Sequence, residues 1–358
     1  LHKKQFTVFF RPNEGEGTYA RFCTRAEEYR RFFEVLRKCG QNGYQVKVAV
    51  ESTGNTRYFK NVVEAEGFPV VVINTLKFKV VTESVKKTDR HDAETIAEFL
   101  EKDMLPQARL CSEKSEELRR VLKTRSVLVR SIVSVKNQIH GMLLGMGIET
   151  SRSALQSKKA RRRVLNVLAE QNLTGAAVAP LMETIDRLYE EVKKLEKLIA
   201  ELVAGDHVVE LIMSIPGAGL ITAATIRAYT DDISRYRGPK QYAAYAGLVP
   251  WVQDSNQTER HGRITKHGSE ELRTALVQIV VGMMRNKRHT QKYWLMNRYA
   301  MLKSRKGSGR SIVATARKLS TIIWHMLTND EEFDPGRMMN LSIRQTAMEM
   351  QAAASDAA

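Results

Sequence analysis

The sequence predicts an α/β unit followed by helices. In the first 110 residues, short apolar strands alternate with helical patterns, the signature of an α/β domain. Between about 128 and 202, apolar residues recur every 3.5 positions, which marks helices packed along a coiled-coil seam. From His207 onward the pattern is helix, tight glycine turn, helix. The boundaries expected from these shifts are 1–110 for the α/β domain, 111–206 for a helical arm, 207–335 for a mostly α-helical C-terminal domain and 336–358 for a flexible tail.

Residues 5–10, QFTVFF, read as a first strand, and 14–17 supplies a turn to a second strand over 18–23. Tyr29, Phe32, Phe33 and Leu36 have helical spacing within 25–39. Residues 44–50 alternate and then become apolar, so they predict a strand. A helix near 56–66, a buried strand over 69–73 and a helix over 89–102 follow.

In the arm, Leu128, Ile132, Val135, Ile139, Met142 and Met146 step by four and three, and Leu181 to Leu202 continues the rhythm. The simplest arrangement is an antiparallel pair with the basic block 158–163 near its tip. The seam alone does not decide whether a helix of the same chain or of a second copy fills it. Further on, helices are expected over 208–214, 220–229, 239–246, 269–286 and 310–328.

With 57 Lys+Arg against 40 Asp+Glu, the net charge is +17, which points to a polyanion partner. The cations cluster: Lys158, Lys159, Arg161, Arg162 and Arg163; then Arg285, Lys287, Arg288 and His289; then Lys303, Arg305, Lys306, Arg310, Arg317 and Lys318. Charge runs also serve as plain solvated faces. No apolar stretch approaches the ~20 residues of a membrane helix, so no membrane partner is expected. Cys23, Cys39 and Cys111 lack metal-ligand spacing, which argues against a disulfide scaffold and fits a reducing cytoplasm.

Three carboxylates form the candidate acidic site. Glu51 follows the strand ending at Val50, the edge of an α/β sheet where functional groups gather. Asp89 and Asp92 are three residues apart, on one face of a helix start. Carboxylate oxygens suit Mg²⁺. Acidic residues at a helix start also serve as caps or complement the macrodipole. Two further features sit in the C-terminal region. Ile215-Pro216-Gly217-Ala218-Gly219 between helices resembles a helix–hairpin–helix, in which Gly217 and Gly219 bring backbone close to a phosphate. An ordinary helix–helix turn has the same pattern. Residues 250–268 read as a polar loop that offers Ser255 beside Arg260, Arg263 and Lys266, with Arg273 on the next helix.

Taken together, Leu1-His2-Lys3-Lys4, Val50-Glu51-Ser52-Thr53-Gly54, Lys87-Thr88-Asp89-Arg90-His91-Asp92-Ala93, the glycine turn, Tyr245-Ala246-Gly247-Leu248-Val249-Pro250 and Gly268-Ser269-Glu270-Glu271-Leu272-Arg273 occur in the order seen in one family. Over about residues 1–325 the chain resembles the DEDD transposases of bacterial insertion sequences, the bridge-RNA-guided recombinases. The resemblance implies an RNase H-like (RuvC-like) N-terminal domain, a coiled-coil arm and a serine-bearing transposase domain. It places Glu51, Asp89 and Asp92 on acidic positions that hold Mg²⁺, and Ser255 on the catalytic serine, with Asn256 where many relatives carry glycine. The family's first aspartate would lie immediately before Leu1, so the chain as it stands is expected to bind metal poorly.

The resemblance further implies DNA as donor and target, a structured guide RNA, and a homo-oligomeric (dimeric or tetrameric) enzyme of the prokaryotic cytoplasm that acts through a covalent phosphoserine. Two other readings remain open from the residues: a metal-dependent structure-specific endonuclease that uses water, and a non-catalytic nucleic-acid scaffold.

Overall fold

The computed structural model describes residues 1–13, 15–75, 77–78, 88–170, 175–255 and 258–336, and for 252–255 and 258–261 the backbone alone. All but the first residue of the expected tail over 336–358, residue Lys87 of the acidic motif and Asn256 lie outside the described residues. The chain divides into two compact units, Leu1–Cys111 and the part from Ser112 onward.

In the first unit, β1 (Gln5–Phe10) and β2 (Thr18–Cys23) form an antiparallel hairpin, with Phe6 opposite Phe22. Helix α1 (Ala26–Gln41) lays Tyr29, Phe32, Phe33 and Leu36 on that pair. The resulting core is an aromatic cluster: the Phe6 and Phe32 rings meet edge-on with centroids 5.4 Å apart, a favourable quadrupole geometry. Then β3 (Val48–Glu51), α2 (Thr56–Ala65) and β4 (Val70–Ile73) make a strand–helix–strand unit, β3 and β4 pairing in parallel with Glu51 opposite Ile73. Helix α3 (Asp89–Glu101) packs on β1 and β3.

The α/β reading implies one sheet. Among the described residues the strands instead form separate two-stranded ladders, and β1 and β3 share no hydrogen bonds. A cavity of about 1300 Å³ stands between them, lined by Phe6, Val8 and Phe10 on one side and Val46, Val48 and Val50 on the other. The expected strand over 44–50 is correspondingly shorter, because residues 44–47 border this cavity and have no partner strand.

In the second unit, α4 (Glu113–Gly145), α5 (Lys158–Glu170) and α6 (Gly175–Leu202) build the arm. Ile132, Ile139 and Leu143 of α4 meet Met182, Ile185 and Val192 of α6, so the heptad seam is filled within the chain. At the root of the arm, Leu118, Leu122, Ile199 and Val203 enter the core of the helices that follow, which joins arm and C-terminal region into one unit.

That region comprises α7 (His207–Met213), α8 (Leu220–Thr230), α9 (Pro239–Tyr245), the antiparallel hairpin β5 (Pro250–Ser255)/β6 (Thr258–Ile264), and α10 (Glu270–Arg285). A short α11 (Lys287–Thr290), α12 (Trp294–Lys306) and α13 (Ser308–Asn329) complete it. The polar loop expected over 250–268 is therefore largely a β-hairpin, a correction that rests on Val252, Thr258 and Ile264, β-formers too sparse to stand out among polar neighbours. Among the described residues, no helix is long and apolar enough to cross a membrane.

Candidate active site

The acidic residues are positioned by two short hydrogen-bonded devices. After β3 the chain turns back on threonine hydroxyls. Thr56 Oγ1 donates to Glu51 O at 2.6 Å, and Thr53 N donates to Thr56 Oγ1 at 2.7 Å. This fixes how the backbone leaves half-buried Glu51. At the start of α3 the N-cap is Thr88, whose backbone is extended (φ −136°, ψ 146°) and whose hydroxyl accepts from His91 N at 3.2 Å. Neither Asp89 nor Asp92 is the capping residue, which separates them from the plainest reading of acids at a helix start. Both stand in the first turn, where the macrodipole favours negative charge.

Glu51, Asp89 and Asp92 all line the cavity between β1 and β3. His2, Thr53 and Thr88 line it as well. His2 Nε2 stands 3.2 Å from Asp89 Oδ2, both side chains being about half exposed. Sequence reasoning did not assign His2 to the site. The available signal was the polar run Leu1-His2-Lys3-Lys4, which carries no spacing to the other acids. In kind, the donors fit Mg²⁺, a hard ion that takes carboxylate oxygens and keeps several waters. Among the described residues, however, no three His, Cys, Asp or Glu side chains are grouped closely enough to hold one ion together.

Ser255 is the last residue of β5 and pairs in register with Thr258 of β6, which puts it at the turn end of the hairpin. Its side chain and that of Arg260 are not described. The base of the hairpin is clamped by backbone. Thr265 N donates to Val249 O at 2.9 Å and Ser269 N to Tyr245 O at 2.8 Å. Arg273 is half-buried, and its Nη1 donates to Ala246 O at 3.0 Å. The guanidinium thus holds the turn from which β5 leaves. Arg263 and Lys266 are exposed on the second strand and just beyond it.

The glycine turn is shaped by packing. Gly217 has φ +91°, and a Cβ there would stand 2.6 Å from Met283 N of α10; a Cβ at Gly282 would stand 2.5 Å from Gly217 O. Two backbones touch at a distance no side chain permits. The Gly219 amide donates to Thr222 Oγ1 at 2.9 Å. In the basic block, Lys158, Lys159, Arg162 and Arg163 are exposed. Arg161 is not: it is 4% exposed, ion-paired with Asp186, and donates to Leu155 O at 3.0 Å. Its charge holds the arm together and is withdrawn from the surface the sequence assigned to it.

Comparison with known proteins gives this arrangement its class. Residues 1–148 match a family described as transposase, of the DEDD, IS110 type. Residues 209–295 match a second, described as the transposase IS116/IS110/IS902 family. A probable family 20 transposase of Pseudomonas aeruginosa is 28% identical over 321 residues, covering 86% of this chain and 90% of that one. The transposase for insertion sequence element IS1111A of Coxiella burnetii is also 28% identical, covering 81% and 79%. A pilin gene-inverting protein of Moraxella bovis is 23% identical, covering 87% and 90%. The chain is a transposase. Over these two stretches it is similar to the IS110/IS116/IS902 transposases, the DEDD transposases of insertion sequences.

Proposed function

We propose that this transposase cuts and rejoins DNA by two successive phosphoryl transfers through Ser255, assisted by the acidic cavity of an RNase H-like N-terminal domain. The observation that carries the reading is the convergence of Glu51, Asp89 and Asp92 on one cavity, with Thr88 acting as the helix cap. In the first transfer Ser255 Oγ gives up its proton and bonds to phosphorus, while the bridging P–O bond to the leaving strand breaks and a strand hydroxyl departs with a proton. In the second, a hydroxyl of the incoming strand displaces Oγ and restores the serine. No water is consumed, so the phosphodiester energy is retained.

Glu51, Asp89 and Asp92 are the residues that would hold Mg²⁺, which when bound neutralises charge on a phosphate oxygen. Exposed Lys158, Lys159, Arg162, Arg163, Arg263 and Lys266 contact phosphates, alongside Arg260. Gly217, Gly219 and Arg273 serve that surface by shaping the backbone beneath it. The name of the Moraxella bovis relative, a gene-inverting protein, is in keeping with strand exchange.

A structured guide RNA supplies the sequence choice in this reading, and base pairing with it selects donor and target. The enzyme works as a homo-oligomer in the prokaryotic cytoplasm, with acidic and serine centres drawn from the same or different subunits. Asp92→Asn tests the acidic site. Strand joining in Mg²⁺ should fall by at least a hundredfold while duplex binding stays intact; full activity would remove the cavity from the mechanism.

A further inference from the structure

From Leu272 through Asn329 the sequence contains no Asp or Glu, yet it carries twelve Lys and Arg. Helices α11, α12 and α13 all lie in this stretch, and none has an acidic residue in its first turn. Of the other described helices, α1, α3, α4, α7 and α10 open with acids, whereas α2, α5, α6, α8 and α9 do not. The macrodipole accounts for Lys303, Arg305 and Lys306 at the C-terminal end of α12. It does not account for Arg310 in the first turn of α13.

Among the described residues, these cations also lack a carboxylate partner. Along α2, α3 and α6, Lys60, Lys102, Lys194 and Lys197 each pair with a glutamate three or four residues away. Among the described residues, no Lys or Arg between 285 and 318 forms an ion pair with a carboxylate. Lys303 to Lys306 and Lys306 to Arg310 are like-charge neighbours at helical spacing, or across one glycine, and repel.

The platform beneath them is ordered. Helices α12 and α13 are joined by Gly307 alone (φ +77°) and pack on one another. Tyr299 OH and Ser308 Oγ stand 3.2 Å apart across the joint. Leu295, Met296 and Tyr299 on one helix and Ser311, Thr315, Leu319 and Ile323 on the other face inward, which leaves the cations exposed. Arg310 and Lys318 are separated by roughly 12 Å along the helix axis, the scale of several phosphates of a duplex.

We infer that the α12–α13 helical pair is a second nucleic-acid surface, apart from the serine hairpin, which grips the phosphate backbone of duplex DNA without reading sequence. The choice of duplex DNA rests on the proposed DNA strand exchange; the charge pattern itself is what selects a polyanion.

The test measures binding of the full chain to a short random-sequence DNA duplex across a salt series. Three proteins are compared: the wild type, the fourfold variant Lys303→Gln/Arg305→Gln/Lys306→Gln/Arg310→Gln, and a control of equal charge change, Lys60→Gln/Lys102→Gln/Lys194→Gln/Lys197→Gln. At a slope of roughly 0.9 per phosphate contacted, the fourfold variant should flatten the dependence of log K on log salt by about 3.6 and bind about tenfold or more weaker at moderate salt. The control should keep the wild-type slope. An unchanged slope in the fourfold variant, or an equal loss in the control, overturns the surface. A loss seen on an RNA hairpin and not on the DNA duplex overturns the choice of DNA. A wild type that fails to bind the duplex at all would count against the DNA reading itself, a different failure. A Lys303→Gln/Arg310→Gln double variant with an unchanged melting temperature guards against misfolding, and about half the slope change is expected of it.

Discussion

Arg273 Nη1 donates to Ala246 O at 3.0 Å, and a Cβ placed on neighbouring Gly247 would stand 2.7 Å from that same nitrogen. The guanidinium and the left-handed turn at Gly247 (φ +65°) exclude any side chain between them. Together they set the direction in which β5 carries Ser255. Arg273→Ala should cost about 1–2 kcal/mol by removing a partly buried hydrogen bond from a charged donor. Amide exchange at Lys266 and Ser269, whose N–H groups close the hairpin base, should speed up more than exchange in α10. Uniform acceleration would show that Arg273 supports the whole unit instead.

The contact between Gly217 and Gly282 predicts a sharp contrast within one motif. Gly217→Ala introduces a Cβ into backbone at 2.6 Å and at φ +91°, so about 2–4 kcal/mol is expected from overpacking and conformational strain. Gly219→Ala meets nothing within 4 Å and has no positive φ, so the loss should stay within about 1 kcal/mol. Equal losses in denaturant unfolding would contradict the packing account of this turn.

The arm offers a comparison between adjacent arginines. Arg161→Ala leaves Asp186 without its buried partner and should destabilise by about 3 kcal/mol. Arg162→Ala, at an exposed position, should change stability by less than about 0.5 kcal/mol and instead weaken nucleic-acid binding. Thermal unfolding and binding assays on the two variants separate the roles.

Asp231 predicts a pH dependence. Burial alone would raise its carboxyl pKa, but hydrogen bonds from Ser112 and Ser115 outweigh it and hold the group below its ordinary value of 3.8. Ser112 Oγ donates to Asp231 Oδ1 at 2.6 Å, while the same hydroxyl caps α4 by accepting from Ser115 N. A depressed carboxylate stabilises the fold fully above its unfolded pKa and loses that contribution as pH falls through the lower folded value. Asp231→Asn should therefore lower the melting temperature at neutral pH and converge with the wild type as pH falls below the depressed folded value. A constant gap across that range would contradict the assignment.

Much of the fold was legible because its signals are local. The α1 stripe of Tyr29, Phe32, Phe33 and Leu36, and the 4–3 rhythm of α4 and α6, are periodicities a single helix displays by itself. Asp89 and Asp92 were legible as a pair at a helix start. Their cap, Thr88, lies directly before them, yet only geometry separates a capping threonine from capping acids. What the sequence withheld is non-local. Gly217 meets Gly282 across 65 residues, and Arg273 meets Ala246 across 27. No local pattern announces either contact. The cavity that replaces a continuous sheet depends on which strand edges pair, which local pattern leaves unsettled. Helix α12 was missed because its buried stripe is only Leu295, Met296 and Tyr299 amid exposed cations.

The most direct test of the central claim is trapping of the protein–DNA adduct. The wild-type chain, Ser255→Ala and Asp92→Asn are each incubated with cognate DNA and guide RNA in Mg²⁺, denatured, and examined by mass spectrometry for a nucleotide bonded to the 250–264 peptide. The account predicts an adduct at Ser255 in the wild type, none in Ser255→Ala despite normal DNA binding, and a strongly reduced yield in Asp92→Asn. An adduct of undiminished yield in Ser255→Ala, or cleavage to free 5′-phosphates with no adduct in the wild type, would contradict it and leave a hydrolytic nuclease in its place.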